Sequence, residues 1–330
     1  MGLFSSMQRP GPSGYGASAT AEQVTAGLDL STKTYLVTGC NAGLGMETVR
    51  VLALRGARVL ALARTLEKAK QVSDPIPGNV VPICCELSEP FSIRAAIQEV
   101  RALNIELDAV IANAGIMALP KPERKNGYEL QFFTNHVGHF FLVTGLLDQL
   151  AANGRVVMVS SAAHEMTYRE GIQFDNLSGE KGYSPWKAYG QSKLCNLLLA
   201  RHLATRLPLP GQTANAIHPG VIATSLMRNM NPLVTIAGRL VSPIFRTGPG
   251  ASAFGRQRVL VAPVRDEATD ELFAAPVRGS CVDEIDAGVE HGTEHDARVS
   301  FARQAPAVGL EVAQLEGAVA QASDIQSGFA

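Results

Sequence analysis

A glycine-rich turn between a predicted strand and a predicted helix constrains the fold of this chain more than any other feature. The apolar run 35–37 is typical of a strand and the segment 46–54 of a helix, and between them lies Thr38-Gly39-Cys40-Asn41-Ala42-Gly43-Leu44-Gly45. Gly39 permits a tight turn, Gly43 lets the backbone approach a pyrophosphate, and Gly45 allows close packing of the helix on the strand. The free N–H groups and the dipole at the start of such a helix favour phosphate groups.

The sequence therefore predicts that this turn binds a dinucleotide. The spacing G-x-x-x-G-x-G differs from the G-x-G-x-x-G fingerprint, so the turn is a variant, and an ordinary turn between a strand and a helix stays open as an alternative. The residues expected to contact the dinucleotide here are Gly39, Asn41, Gly43, Leu44 and Gly45.

Strands alternate with helical stretches along most of the chain. Apolar segments predict strands over 34–38, 58–64, 80–85, 108–113, 155–161 and 213–218. Continuous apolar strands, such as the run from Val156 to Val159, are typical of parallel sheets that are covered on both faces. The alternation predicts an α/β fold with a Rossmann-type doubly wound parallel sheet in a single domain.

The end of the second predicted strand bears on the choice of dinucleotide. An acidic residue at this point binds the ribose 2′-hydroxyl of NAD, whereas an Arg accommodates the 2′-phosphate of NADP. The strand ends at Arg64, and the first acidic residue after it is Glu67. We therefore expect NADP(H) as the cofactor, with Arg64 as one of its contacts; a solvated basic strand end is the alternative.

A Tyr and a Lys stand four residues apart, at Tyr189 and Lys193, in a segment with helical character. Residues at this spacing share one face of a helix. An ammonium group beside a phenol favours the phenolate and lowers the pKa of the phenol, which is about 10 in a free Tyr. The pair thus predicts a proton-exchanging phenol, although a surface pair on a helix would have the same spacing.

Together these motifs resemble the short-chain dehydrogenase/reductase family, with the nearest likeness in the branch of retinol dehydrogenases and plant chloroplast-envelope relatives. The resemblance implies a catalytic group of Asn135, Ser161, Tyr189 and Lys193. Ser161, rather than its neighbour Ser160, would bind the substrate oxygen, and Tyr189 would exchange a proton with it. Lys193 would lower the pKa of Tyr189 and hold the nicotinamide ribose. Asn135 would kink its helix around a water molecule that relays protons.

The same resemblance implies further cofactor contacts. The third strand of the family ends in an Asp that binds adenine, and Glu86 stands there instead, so that contact is open while the backbone of Leu87 takes its place. The N-A-G motif and a P-G-x-x-x-T turn complete the set, although a turn-forming Asn would also explain Asn113. The implied contacts are Glu86, Leu87, Asn113, Ala114, Gly115, Tyr189, Lys193, Pro219, Val221 and Thr224.

The resemblance implies an NADP(H)-dependent oxidoreductase that interconverts a carbonyl and an alcohol by hydride transfer. Apolar side chains between Ser225 and Arg246 suit a lipophilic small-molecule substrate, and core packing explains them equally well. Two alternatives remain open. The protein is then either a catalytically idle NADP(H)-binding sensor or scaffold, or a reductase of a non-carbonyl double bond.

Composition limits the partners and the compartment. The net charge of -1, from 29 basic and 30 acidic residues, gives no basic field for nucleic acid. The sequence contains no run of 18 apolar residues, so we expect no membrane span. The five cysteines include no C-x-x-C pair, so we expect reduced thiols, a cytoplasmic protein and no metal site. The N-terminal Met1–Ser6 fits a myristoylation pattern, which leaves lipidation open.

Three segments follow from these features: a flexible leader over 1–18, an NADP-binding domain over 19–250 and a divergent segment over 251–330. The family pattern is lost after about Arg246. The divergent segment is partly polar loop, and a helical spacing at its end joins Val308, Val312, Leu315 and Val319. Family members commonly use their last helices and strand for subunit contacts, so the resemblance allows a homo-oligomer without deciding it.

Overall fold

A parallel β-sheet organises the part of the chain that the computed structural model describes, residues 19–219. Six strands pair in the order β3-β2-β1-β4-β7-β8, and every neighbouring pair in this sheet is parallel. These strands are β1 Thr34–Thr38, β2 Arg58–Ala63, β3 Val80–Cys84, β4 Leu107–Ala112, β7 Leu150–Val159 and β8 Thr213–Ile217. A short antiparallel hairpin is formed by β5 Arg124–Lys125 and β6 Tyr128–Glu129. The predicted Rossmann-type α/β sheet is confirmed.

Helices connect the strands and cover the sheet. They are α1 Ala21–Val24, α2 Gly43–Leu54, α3 Leu66–Ser73, α4 Pro90–Ala102, α5 Leu130–Phe132, α6 Gly138–Thr144 and α7 Pro185–Ala204. A π-helical turn, Phe133–Val137, joins α5 to α6, and the 3₁₀ turns are Leu147–Gln149, Ala162–Met166 and Phe174–Asn176. No helix within residues 19–219 is both long and apolar enough to cross a membrane.

The core lies on both faces of the sheet because successive side chains of a strand point to opposite sides. In β1, Leu36 packs into the core that α4, α6 and α7 cover, whereas Tyr35 and Val37 pack into the core next to α2. All five residues of β1 are buried. Burial of a Leu or Val side chain stabilises the fold by roughly 1.5–3 kcal/mol. The expectation that the strands are buried on both faces is confirmed for this central strand.

The order of the strands places a crevice above the centre of the sheet. From β1 the chain continues to β2 and β3 on one side, and β4 then pairs with the other side of β1. The loops that leave β1 and β4 therefore diverge, and ligands of open α/β sheets bind in the crevice between such loops, at the carboxyl ends of the strands.

Most strands agree with the prediction to within one residue at each end, and two local features differ from it more strongly. The strand expected from residue 155 begins at Leu150, because Leu150 pairs with Leu107 before the register shifts. The hairpin of β5 and β6 was not predicted. The leader 1–18, the divergent segment 251–330, the apolar stretch 225–246 and the predicted contacts Val221 and Thr224 lie outside the described residues.

Candidate active site

A cleft of about 740 Å³ lies at the carboxyl ends of the strands, over the crevice between β1 and β4. Most of the predicted site residues line it, although they come from seven separate stretches of the chain. These are Gly39, Asn41, Gly43, Leu44, Arg64, Glu86, Leu87, Asn113, Ala114, Gly115, Ser161, Tyr189, Lys193 and Pro219. Gly45 and Asn135 are not part of this lining. Gly45 packs closely against Gly39 and Asn113, and Asn135 forms hydrogen bonds with Ile116 and Ser192.

The glycine turn leaves room for a ligand at the start of α2. Gly39 has φ +67, and a Cβ on this residue would lie 2.7 Å from the Cα of Ala114. A Cβ on Gly45 would collide with the carbonyl oxygen of Gly39. The residue before α2, Ala42, has no side chain that caps the helix, so the first N–H groups are left for another acceptor. This cradle fits the phosphates of a dinucleotide.

Asn113 joins the glycine turn to the end of β4. Its side-chain amide donates to the carbonyl of Thr38 at 2.9 Å. The Thr38 hydroxyl oxygen accepts from the backbone N–H groups of Asn113 and Ala114, each at 2.9 Å. The structure thus gives Asn113 a positioning contact, which fixes the two strand ends that border the crevice.

A fully buried histidine, His139, extends this network into the helical layer. Its Nδ1 lies 2.8 Å from the backbone carbonyl of Asn135, and its Nε2 lies 2.8 Å from the Thr38 hydroxyl. A carbonyl oxygen only accepts, so Nδ1 carries the proton and the Thr38 hydroxyl donates to Nε2. Burial lowers the pKa of His139 to about 3, which keeps the ring neutral. Sequence reasoning missed this residue, although its position four residues after Asn135 places both on one helix face.

Asn135 occupies the π-helical turn 133–137, so the helix is irregular at the point where a kink was expected. Its side chain is fully buried and binds two elements at once. Oδ1 accepts from the N–H of Ile116 at 2.8 Å, and Nδ2 donates to the carbonyl of Ile116 and to the hydroxyl of Ser192, each at 2.9 Å. Asn135 therefore connects the loop after Gly115 to helix α7.

Tyr189 and Lys193 project from one face of α7 into the floor of the cleft, and both are buried. The Lys193 ammonium donates to the carbonyl of Val159 at 2.9 Å and lies 5.7 Å from the centre of the Tyr189 ring. Burial lowers the pKa of Lys193 to about 8.

The pKa of Tyr189 departs from the sequence prediction. Burial raises it, and a hydrogen bond from Ser161 opposes this effect without overcoming it. Lys193 was expected to lower the pKa of Tyr189. In the structure this pKa is raised instead, because the cost of a buried phenolate outweighs the favourable contacts. The phenol is therefore protonated at neutral pH.

The two neighbouring serines have different environments. The Ser160 hydroxyl is buried and donates to the backbone carbonyl of Lys193 at 2.8 Å. Ser161 lines the cleft and contacts the Tyr189 hydroxyl, and its side chain also accepts from the N–H of Ala163 at 3.2 Å. This geometry favours Ser161 over Ser160 as a substrate contact.

Arg64 and Glu86 line the cleft beyond the glycine turn. Arg64 is exposed at the end of β2. The Glu86 carboxylate accepts from the backbone N–H of Ser88 at 3.1 Å and from its hydroxyl at 3.0 Å, so it is held within its own turn. Leu87 is buried beside it. These local hydrogen bonds argue against a contact between the Glu86 carboxylate and an adenine ring.

An apolar group that sequence reasoning missed lines the opposite end of the cleft. It consists of Met117, Ala163, Met166 and Trp186. Trp186 precedes Tyr189 by three residues in α7. Residues three apart lie on the same side of a helix, so this spacing could have indicated from the sequence that Trp186 lies near the site.

Comparisons with known proteins agree with this geometry. Residues 33–234 match the family model of short chain dehydrogenases. The chain is 41% identical over 235 residues to short-chain dehydrogenase TIC 32 B, chloroplastic, of Brassica napus, an alignment that covers 67% of this chain and 73% of that protein. It is 40% identical over 235 residues to retinol dehydrogenase 12 of Mus musculus, which covers 69% of this chain and 73% of that protein.

A solved structure of an uncharacterized protein from Mycobacterium paratuberculosis has the same fold. It is 33% identical, with a TM-score of 0.59 over 74% of this chain and 80% of that chain. The chain therefore belongs to the short-chain dehydrogenase/reductase family of oxidoreductases, near its retinol-dehydrogenase-like branch.

Proposed function

We propose that this protein is an NADP(H)-dependent oxidoreductase that interconverts a carbonyl and an alcohol in a lipophilic small molecule. The observation that carries the proposal is the contact between Ser161 and the buried Tyr189 hydroxyl, at the junction between the nucleotide end of the cleft and its apolar end. A substrate oxygen that meets both hydroxyls would lie in the same cleft as the glycine turn that would hold the cofactor.

The side chains have distinct roles in this reaction. The nicotinamide, when bound, supplies or accepts the hydride. Ser161 donates a hydrogen bond to the substrate oxygen, and Tyr189 gives it a proton during reduction or takes one during oxidation. Burial raises the pKa of the Tyr189 phenol, so this side chain carries the proton that carbonyl reduction requires. Lys193 then returns a proton towards Tyr189, and Asn135 holds the loop and helix that frame the pair.

The cofactor preference rests on Arg64. Arg64 lines the cleft just after β2, where an NAD-binding protein carries an acidic residue. A guanidinium binds a phosphate with two parallel hydrogen bonds. These features support NADP(H), within a family that uses nicotinamide cofactors.

The apolar end of the cleft supports a lipophilic substrate. Met117, Met166 and Trp186 present apolar side chains there, beside Glu165, which also lines the cleft. The similarity to a protein named retinol dehydrogenase 12 agrees with such a substrate. We also propose a cytoplasmic location, because four cysteines, Cys40, Cys84, Cys85 and Cys195, are free thiols in the described part of the chain.

Tyr189→Phe tests the catalytic role. Loss of NADPH absorbance with a panel of retinoid, steroid and quinone carbonyls measures turnover, and NADPH fluorescence measures binding. We expect turnover to fall by at least about 100-fold, the lower range for general acid catalysis, while NADPH binding persists. Tyr35→Phe is a matched control, since it removes another buried phenolic hydroxyl from the opposite end of β1. Retained turnover in Tyr189→Phe would refute the role.

The same measurements separate the alternatives. Binding of NADPH without turnover of any compound in the panel indicates an idle sensor, and a product that keeps its carbonyl indicates a double-bond reductase. Arg64→Ala tests the cofactor preference, with an expected rise of about 10-fold in KM for NADPH and an unchanged KM for NADH.

A further inference from the structure

Three side chains of α7 form one stripe that leads from the rim of the cleft to its floor. Trp186, Tyr189 and Lys193 are spaced by three and four residues, which places them on one face of the helix. Their exposed fractions fall along this stripe, from 39% for Trp186 to 4% for Tyr189 and 3% for Lys193. Along this stripe, Trp186 thus lies between the buried Tyr189 and solvent.

The indole of Trp186 offers an aromatic face to such a substrate. Its ring centre lies 6.3 Å from that of Tyr189, and the two planes meet at 83°. Because the rings are nearly perpendicular, they are not stacked, and the phenol covers at most one face of the indole. Trp186 is 39% exposed and lines the cleft.

Two methionines border the same space. Met117 is buried, Met166 is 49% exposed, and both line the cleft with the small side chain of Ala163. Thioether groups are polarizable and pack favourably against aromatic rings. Together with the indole, these thioethers offer favourable contacts to a flat aromatic ring.

We propose that Trp186 is a specificity-determining residue that selects carbonyl compounds conjugated to a flat aromatic ring. This inference rests on the proposed function, since it takes Tyr189 as the group that meets the substrate oxygen. Trp186 and Tyr189 are three residues apart, about 4.5 Å along the helix axis. A ring attached directly to the carbonyl carbon then lies beside the indole and stacks on it in an offset arrangement, which favours binding by roughly 2- to 10-fold.

The test compares one pair of substrates across variants. The pair is 4-tert-butylbenzaldehyde and 4-tert-butylcyclohexanecarbaldehyde, which share a skeleton and differ in the flat ring. Trp186→Leu should lower the ratio of their kcat/KM values by about 2- to 10-fold, and Trp186→Phe should restore most of it. The intrinsic reactivities of the aldehydes cancel because only the change in the ratio is read. Phe91→Leu, which removes an aromatic ring that is 81% exposed on α4, should leave the ratio unchanged.

A binding measurement separates failure of this inference from failure of the proposed function. Trp186 is the single Trp of the chain, so its emission reports on this site alone. In the full-length protein with NADPH, 4-tert-butylbenzamide should change the emission saturably, and 4-tert-butylcyclohexanecarboxamide should bind about 2- to 10-fold more weakly. Equal affinities, no saturable change, or an unaltered kcat/KM ratio in Trp186→Leu would overturn the inference. Differential binding without turnover of either aldehyde supports the aromatic site and refutes the proposed function.

Discussion

Acid should destabilise this fold through His139. The pKa of this side chain is lowered to about 3 by full burial, with smaller contributions from the charges of Lys193 and His136, and the hydrogen bond to Asn135 opposes the shift. In the unfolded chain its pKa is about 6.5. The unfolded chain therefore binds a proton below pH 6.5 that the folded protein does not bind until the pH nears 3. Stability is complete above pH 6.5 and is lost as the pH falls towards 3.

The size of this effect follows from the two pKa values. At pH 5 the unfolded histidine is about 1.5 pH units below its pKa, and each unit corresponds to about 1.36 kcal/mol. The folded ring is still neutral at pH 5 because its pKa is about 3. Between pH 7 and pH 5, His139 alone should thus lower the free energy of unfolding by about 2 kcal/mol.

Urea unfolding followed by circular dichroism at pH 7 and pH 5 measures this loss. His139→Gln replaces the ring with a neutral amide that does not titrate. Between pH 7 and pH 5, the variant should therefore lose about 2 kcal/mol less of its free energy of unfolding than the natural chain loses. The change in the free energy of unfolding between pH 7 and pH 5 is decisive, because a merely structural cost of the substitution lowers this free energy equally at both pH values. His202→Gln, at an exposed position of α7, is the control and should behave like the natural chain. If the natural chain and His139→Gln lose the same free energy of unfolding between pH 7 and pH 5, His139 is not the cause of the acid sensitivity. His139→Asn is a second variant with a neutral amide and tests the same point.

Three other experiments address the cofactor cradle, the core and the proton supply. Gly45→Ala should abolish NADPH binding in a calorimetric titration, because the new Cβ collides with the Gly39 carbonyl oxygen. Tyr35→Phe should raise the free energy of unfolding by about 1 kcal/mol in urea, since the buried Tyr35 hydroxyl has no hydrogen-bond partner within residues 19–219; a loss of stability would show that it has one. Carbonyl reduction should decline as the pH rises through 8, where the Lys193 ammonium loses its proton, and a profile of kcat against pH that is flat to pH 9 would contradict this.

The sheet could be predicted because its strands are continuous apolar segments between polar turns. The prediction for 34–38 coincides with β1, and that for 213–218 exceeds β8 by one residue. The early start of β7 could not be predicted in this way. Leu150 belongs to the sheet through its partner Leu107, a pairing between distant parts of the chain that the polar residues after Leu150 conceal. The hairpin had a local signal in Asn126-Gly127, a dipeptide that favours tight turns.

The site was predictable where chemistry follows from short spacing, as for Tyr189 and Lys193 on one helix. The site was not predictable where burial determines the partners or the pKa of a side chain. The hydrogen bond between Thr38 and His139 joins residues that are 101 positions apart. The raised pKa of Tyr189 likewise reflects how the fold encloses the phenol, which no single stretch of sequence reveals. The roles of the catalytic and cofactor residues stay predictions.

The π-helical turn makes the number of residues in this helix as important as their identity. Such a turn holds one residue more than the regular helix that surrounds it. Because the wide turn absorbs the additional residue, α5 and α6 keep the faces that they would present in a regular helix. Removal of one residue from 133–137 would close the turn and displace the side chains within it, while the flanking segments would keep their orientation. The amide of Asn135 would then no longer reach both Ile116 and Ser192, so the connection between the loop after Gly115 and α7 depends on the length of this stretch as well as on the Asn.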